Sequence, residues 1–146
     1  MSSELDCIFC KIVRKEAPAH VVCEDERTLV FMDIFPVADG HSLIIPKAHC
    51  DDIFGADPED LRAVIDRARE VAHAIGRVLA PDGLGIFQLN GAAAGQTVFH
   101  YHMHLIPRNH GAGLQIHSRV PGKPERMAEI AKRLGDAVRS GGLRPS

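Results

Sequence analysis

The apolar positions of this chain recur with a helical period in two stretches. Between residues 57 and 78 they recur every three or four positions, the spacing of an amphipathic helix. Asp57 supplies a capping side chain and Pro58 suits the first helical position, so we predict that the helix begins there. The same spacing returns over residues 127–138, before a pair of glycines at 141–142. We therefore predict one long helix and one C-terminal helix that the glycines end.

Five shorter stretches carry the β-branched, aromatic and aliphatic residues typical of strands, bounded by turn residues. We expect proline to end the third and the fifth strand. A short loop joins the fourth to the fifth, which indicates an antiparallel hairpin. Because the strands cluster instead of alternating with helices, we predict an α+β fold with a five-stranded antiparallel sheet. The predicted strands cover residues 20–25, 28–34, 41–46, 84–89 and 98–106.

The fifth predicted strand carries three histidines at a spacing of two. Successive side chains of a strand point to opposite faces, so His100, His102 and His104 are predicted to share one face. An accidental or tag-like cluster would lack the apolar residues that alternate with them. Neutral imidazole, with an ordinary pKa of about 6.5, can act as a nucleophile, a general base or a metal ligand. The opposite face is predicted to pack on a core through Phe99, Tyr101, Met103 and Leu105.

A C-x-x-C pair, Cys7 and Cys10, stands near the start of the chain. Two thiolates at this spacing can bind one ion, so the pair can be half of a zinc site. The same residues can be two reduced thiols on a short helical turn. No βαβ pattern follows them, which argues against a thioredoxin-like redox role. The residues alone leave the zinc site and the reduced pair both open.

Small residues fill the loop between the fourth and fifth predicted strands, residues 90–95. Such residues allow a ligand to approach the backbone closely, and successive N–H groups can surround an anion. Glycine–alanine tracts are common, so the loop alone is weak evidence. Beside three histidines it becomes a candidate phosphate site.

Composition excludes several classes of function. The chain is 45% hydrophobic and 25% charged with a net charge of −2, which suits one globular domain. This charge gives no electrostatic basis for binding nucleic acid or a membrane surface. The polar first residues resemble no signal peptide, and no apolar run is long enough to span a bilayer. We expect a cytoplasmic protein, whose four cysteines are reduced or bound to metal.

The histidine row also resembles a known family. Residues 100–106 are similar to the His-x-His-x-His-x-x signature, with apolar x, of the histidine triad superfamily of nucleotidyl hydrolases and transferases. The preceding Gly-Gln-Thr-Val at 95–98 also looks like this family. The resemblance implies a small α+β domain whose five-stranded antiparallel sheet joins that of a second copy in a homodimer. It implies a single domain over 1–146, with its core at 7–108 and a C-terminal loop and helix at 109–146.

The resemblance also implies a structural zinc ion. Some members, mostly bacterial, bind zinc through a C-x-x-C pair, a histidine after an Ile-Pro-Lys turn, and the first histidine of the triad. Two cysteines and two histidines form a closed structural zinc set. Cys50 adjoins one of these histidines and is an alternative ligand. The implied ligands are Cys7, Cys10, His49 and His100.

The resemblance further implies a purine nucleotide substrate, a conjugate of AMP or GMP. Asp33 would accept hydrogen bonds from the ribose hydroxyls, and Ile34 would contact the base. Asn90 would contact the phosphate side, and His41 is a further buried histidine. The full implied set is Asp33, Ile34, His41, Asn90, Gly95, Gln96, Thr97, His102 and His104.

The chemistry that the resemblance implies is nucleophilic. His102 would attack the α-phosphorus and form a nucleotidyl-histidine, which water then cleaves. Its other ring nitrogen should donate to a carbonyl or polar group, because the nucleophile needs one tautomer. His104 would contact the phosphoryl oxygens or the leaving group. Backbone donors at 95–97, with the Gln96 and Thr97 side chains, would stabilise developing charge, and no catalytic metal is required.

Several alternatives stay open. Hydrolysis and nucleotidyl transfer share the same intermediate, so the residues do not separate them. A non-catalytic, zinc-stabilised nucleotide-binding or interaction domain would not need an imidazole at position 102. The chain lacks the tryptophan-containing segment of the eukaryotic phosphoramidase branch, whereas Thr97 and the Pro-Arg at 107–108 resemble dinucleoside-polyphosphate hydrolases. A phosphoramidate, a dinucleoside polyphosphate or a similar conjugate is therefore expected.

Overall fold

The computed structural model describes residues 4–141. Residues 1–3 and 142–146 lie outside the described part, and with them the first polar residues and the second of the two glycines. Among the described residues, no helix combines the length and apolar character needed to cross a bilayer. The elements are α1 (Ile8–Val13), β1 (Val21–Glu24), β2 (Thr28–Met32), β3 (Ser42–Pro46), α2 (Pro58–Val78), β4 (Gly83–Gln88), β5 (Met103–Arg108) and α3 (Pro124–Ser140).

The five strands form one sheet in the order β1-β2-β3-β5-β4, and every neighbouring pair is antiparallel. This confirms the predicted α+β class and strand count. The hairpin of β4 and β5 is also confirmed, with Ile86 opposite Leu105. Its connection contains a 3₁₀ turn, Ala92–Ala94, within the small-residue loop.

Both faces of the sheet are covered, so every residue of β2 and β3 is buried. Alternate side chains of these strands, such as Val30 and Ile44, pack with α2 and α3 on what we call the helix face. Their neighbours, such as Phe31 and Ile45, pack with α1 on the opposite side, the histidine face. The sheet therefore separates two apolar clusters, one on the helix face and one on the histidine face.

The two long helices follow their local signals. The Asp57 side chain accepts a hydrogen bond from the Glu59 N–H at 2.8 Å, and α2 ends at Val78 as predicted. Helix α3 begins three residues before the predicted start, because a proline takes its first helical position. It ends at Gly141, whose φ of 68° suits a residue without a Cβ.

The histidine strand differs from its prediction at both ends. Strand β5 begins only at Met103, because the N–H of Tyr101 donates to the Cys50 carbonyl instead of joining the sheet. Pro107 does not end the strand, and Pro46 likewise belongs to β3. Beyond Leu105, β5 pairs only with β4. Pro107 lacks an N–H, but this costs no hydrogen bond on the side of β5 that has no neighbouring strand.

Helix α3 approaches β1 so closely that only glycine fits at position 135. A Cβ on Gly135 would overlap the backbone oxygen of Val22. We expect Gly135→Ala to lower the free energy of unfolding by about 1–3 kcal/mol, because overpacking outweighs the better helix propensity of alanine. Urea unfolding measures it. Gly55→Ala, where a Cβ meets nothing within 4 Å, is the control and should leave stability unchanged. A gain in stability at position 135 would contradict the close packing.

Candidate active site

The three histidines lie together on the histidine face although only one of them is in the strand. His100 and His102 precede β5, and His104 is its second residue. Their exposed fractions are 0%, 6% and 4%. The rings of His102 and His104 are 4.9 Å apart, and Phe9 of α1 packs edge-on to His100 and His102 at 5.9 and 5.2 Å between centroids. On the helix face, Tyr101, Met103 and Leu105 pack as predicted, whereas Phe99 stays outside the cluster.

A backbone carbonyl fixes the tautomer of His102. Its Nδ1 lies 2.7 Å from the carbonyl oxygen of His100. A carbonyl only accepts, so Nδ1 carries the proton and Nε2 keeps a lone pair. Burial lowers the pKa of His102 below its ordinary value, against the effect of this hydrogen bond. The predicted hydrogen bond is confirmed, and His102 offers a neutral nitrogen nucleophile.

A chain of hydrogen bonds fixes the opposite tautomer at His104. The N–H of Val37 donates to Nδ1 of His41 at 3.0 Å, so the proton of His41 must be on Nε2. That Nε2 is 3.0 Å from Nδ1 of His104, which therefore accepts, and the proton of His104 is on its Nε2. His102 thus offers a lone pair at Nε2, and its neighbour His104 offers an N–H.

Burial keeps the imidazoles of His41 and His104 neutral. Removal from water lowers the pKa of His41 to about 4 and that of His104 to about 3, and repulsion from neighbouring histidines adds to both shifts. Asp33 lies 3.4 Å from Nε2 of His41. Burial raises the pKa of Asp33, although the N–H of Phe35 donates to its carboxylate. Ile34, beside it, is 55% exposed and free to contact a ligand.

The phosphate-site loop uses most of its donors internally. The Gln96 side chain accepts from the Gly91 N–H at 2.7 Å and donates to the carbonyls of Asp51 and Val98 at 2.6 and 3.1 Å. It therefore orders the loop and has no N–H left for a phosphate. Of the predicted donors at 95–97, only the exposed Thr97 makes no hydrogen bond within the described part of the chain.

Asn90 holds the loop to its surroundings. Its side-chain oxygen accepts from the Ile53 N–H at 2.8 Å, and its amide pairs with that of Gln88 at 2.8 Å in both directions. One side-chain N–H remains for a ligand. Gly95, with a φ of 103°, is in a region that L side chains rarely adopt. The loop is thus built before any ligand arrives.

The four predicted metal ligands converge, with all donor atoms within 4.8 Å of one another. Nδ1 of His100 is 3.3 Å from the sulfur of Cys7 and 3.5 Å from that of Cys10. Nδ1 of His49 is 3.3 Å from the sulfur of Cys10. Tetrahedral zinc, with Zn–S and Zn–N bonds of about 2.3 and 2.0 Å, brings S and N to about 3.5 Å from each other. The distances therefore fit zinc.

Hydrogen bonds outside the cluster turn both histidines toward it. Nε2 of His100 donates to the Pro46 carbonyl at 2.8 Å, and Nε2 of His49 donates to Asp51 at 3.0 Å. Both Nδ1 atoms are left as lone pairs facing the thiols, as metal-binding histidines require. Burial raises the pKa of Cys10 to about 12, which makes a cation the natural partner of its thiolate.

Two residues near the site differ from what the sequence predicted. Cys50, the alternative ligand, packs against the helix face and is not in the cluster. His117 was missed. Its Nε2 lies 3.0 Å from the carbonyl of Gly95, and its ring is edge-on to His104 at 6.3 Å between centroids. It stands in an irregular loop without periodicity, so no pattern in the sequence pointed to it.

The geometry agrees with comparison to known proteins. The sequence model of the HIT domain matches residues 14–111. This chain belongs to the HIT domain family. The protein called Protein hit of Bacillus subtilis is 40% identical to this HIT domain protein over 141 residues, covering 90% of this chain and 97% of that one. Adenylylsulfatase HINT3 of Arabidopsis thaliana is 41% identical over 103 residues, covering 70% of this chain and 52% of its own length.

Solved structures share the HIT fold. A Zn-bound histidine triad family protein from Mycobacterium smegmatis superimposes with a TM-score of 0.83 at 36% identity, covering 94% of this chain and 96% of its own. A HIT family hydrolase from Legionella pneumophila has a TM-score of 0.62 at 37% identity, covering 80% of this chain and 99% of its own. The fold and the family are therefore secure.

Proposed function

We propose that this protein cleaves a purine nucleotide conjugate at its α-phosphorus through a nucleotidyl-histidine on His102. One observation carries the proposal: the ring of His102, with a lone pair on Nε2, lies 4.9 Å from the ring of His104, which carries an N–H, in a buried site. A nucleophile next to a hydrogen-bond donor is the minimum that phosphoryl substitution requires. A binding module would need neither tautomer fixed.

In the first step, Nε2 of His102 attacks the α-phosphorus and the bond to the leaving group breaks. The carbonyl of His100 holds the imidazolium that forms, because it accepts from Nδ1–H at 2.7 Å. The N–H of His104 donates to a phosphoryl oxygen as charge develops there. Water then attacks phosphorus, the N–P bond breaks, and the nucleoside monophosphate leaves. No catalytic metal is required.

Residues around His102 and His104 would bind the two parts of the nucleotide, the nucleoside and the phosphate. Asp33 and Ile34 provide a carboxylate for the ribose hydroxyls and an exposed apolar side chain for the base. Thr97 offers its N–H and hydroxyl to the phosphate, and Asn90 one amide N–H. Gly95 and Gln96 shape the loop that presents them.

Relatives support this class of reaction. The Arabidopsis relative is named an adenylylsulfatase, and the Legionella neighbour is described as a HIT family hydrolase. We infer hydrolysis in preference to transfer from these two names. The leaving group here is an amine, a phosphate, a sulfate or a similar group.

We further propose that zinc occupies the cluster of Cys7, Cys10, His49 and His100 and has a structural role. The Zn-bound neighbour supports the metal, and the donor set and hydrogen bonds described above support the site. Bound there, zinc would tie α1 to His100, whose carbonyl orients the nucleophile. The metal would thus hold the active site in register without touching the substrate.

Product analysis over a panel of conjugates tests the reaction. Purified protein is incubated with adenylate and guanylate amides, dinucleoside polyphosphates and adenylyl sulfate. We expect release of AMP or GMP from at least one class, and acid-quenched samples should contain protein heavier by one nucleotidyl group. Binding without any product would instead support the non-catalytic nucleotide-binding domain.

We also propose a homodimer in which β4 pairs with its copy. Both β1 and β4 are edge strands, but β1 carries a bulge and Glu24, features that discourage pairing. Strand β4 has no charged residue, and its Ile86 is 48% exposed. An edge of this kind needs a partner.

Sedimentation velocity at micromolar concentration tests the dimer. We expect twice the chain mass of 15.9 kDa for the wild type and the single mass for Ile86→Lys. The matched control is Val21→Lys on the other edge, 37% exposed, which should stay dimeric. A wild-type monomer would contradict the proposal.

A further inference from the structure

We propose that His117 is the general acid and base of the reaction, giving a proton to the leaving group and later taking one from water. The inference rests on the proposed function and assigns a role within it that the triad does not fill. The observation behind it is that His117, in the C-terminal loop (residues 109–123), contacts both the phosphate-site loop and His104.

The buried histidines can donate a hydrogen bond but have no proton to release. If His104 gave up its Nε2 proton, its Nδ1 would need one from His41. His41 would then be left as an imidazolate, since its own Nδ1 faces the N–H of Val37, which keeps its proton. The hydrogen-bond chain therefore ends at a backbone amide. His102 is occupied by its bond to phosphorus, so the proton must come from another group.

The C-terminal loop is fastened at three places around the site. Arg108 donates to the Gln115 carbonyl at 2.5 Å, just before His117. His117 itself donates from Nε2 to the Gly95 carbonyl at 3.0 Å. Farther along, the Gly122 N–H donates to the Ile34 carbonyl at 2.9 Å. The loop therefore runs across the site from the phosphate side to the nucleotide side and carries His117 between its anchors.

His117 has both the exposure and the surroundings of a proton carrier. Its side chain is exposed, so it exchanges protons with bulk water, unlike the triad. The Gly95 carbonyl accepts from Nε2–H in either charge state and leaves Nδ1 for proton exchange. Four ionisable groups of the site lie within electrostatic range of its ring. These are Asp33, His41, His102 and His104.

The proton balance closes over both steps. In the first, the N–P bond to His102 forms, the bond from phosphorus to the leaving group breaks, and the His117 imidazolium gives that group its proton. In the second, neutral His117 takes a proton from water as the oxygen attacks phosphorus and the N–P bond breaks. His117 returns to the imidazolium form, and no further reactant is needed.

Two adenylate conjugates with different leaving groups separate this role from a structural one. An alkylamine phosphoramidate needs a proton on its leaving nitrogen, whereas a p-nitrophenyl ester leaves as a stable anion. For His117→Ala we expect kcat/KM to fall about 100-fold or more on the amidate and only a few-fold on the ester. His117→Gln, which can still donate to the Gly95 carbonyl, should show the same contrast. His110→Ala, an exposed histidine of the same loop, is the matched control and should leave both rates unchanged.

The outcomes separate this inference from the function on which it rests. Equal losses on both conjugates, or recovery in His117→Gln, would show that the side chain only positions the loop and would overturn the inference alone. If the wild type releases AMP from neither conjugate, or if His102→Ala is as active as the wild type, the proposed function fails and this role fails with it.

Discussion

Replacing His102 with alanine is expected to reduce turnover by about 10⁴-fold or more, since removal of a nucleophile leaves only binding and charge stabilisation. Nucleotide affinity should change little, because the apolar residues that hold this segment point to the helix face. Steady-state kinetics on the best conjugate measures the first effect, and calorimetry with AMP the second. The nucleotidyl adduct should also vanish from acid-quenched samples.

The matched comparison is His104→Gln, which keeps an N–H donor beside the nucleophile. Its loss of kcat should be much smaller than that of His102→Ala, because a hydrogen bond is weakened and no bond-forming atom is removed. A His102→Ala protein that keeps more than a few per cent of wild-type activity would rule out the nucleophile. Loss of nucleotide binding in the same variant would point to a collapsed site instead.

Replacing Cys7 with serine is expected to remove zinc and to destabilise the protein. Zinc present at about 1,000 times its dissociation constant adds about 4 kcal/mol to folding. For a domain of this size each kcal/mol corresponds to about 2–4 °C in Tm, so a decrease of roughly 10 °C is expected. Turnover should fall as well, since His100 holds both the metal site and the tautomer of His102.

Metal content by mass spectrometry, on protein purified without a histidine tag, decides the zinc site. We expect one zinc per chain in the wild type and none in Cys7→Ser. Cys23→Ser is the control, because that thiol lies against the helix face and outside the cluster. Fully active wild-type protein without metal would show that zinc is dispensable, and zinc retained in Cys7→Ser would assign it to other ligands.

Local signals predicted the helices well. Helix α2 begins and ends where the sequence indicated, because a capping aspartate, a first-turn proline and the apolar period all act within a few residues. Strands were placed to within a residue or two, except for the histidine strand. There Tyr101 is bonded to Cys50, far back in the chain, and no local pattern carries such a contact.

The site also combines features that are local in the sequence with contacts that only the fold makes. The residue types of the triad, the cysteine pair and their spacing are properties of the sequence, and so is the family resemblance that named the ligands. The bond from His102 to the His100 carbonyl spans two residues and follows from the local chain. Gln96 was expected to contact phosphate, yet its amide is used by carbonyls that only the folded chain brings near.

The sequence by itself determined the elements and the α+β class, because these depend on side-chain period and residue type, and its family resemblance singled out His102 as the candidate nucleophile. Tertiary structure alone decided the position of the proton on His104 and the convergence of the metal ligands. His41 fixes the proton of His104 from 63 residues away, and Cys7 meets His100 from 93 residues away. It also brought His117 to the site. Hydrogen bonds act over about 3 Å in space, whatever the separation along the chain, so only the fold selects which partners meet.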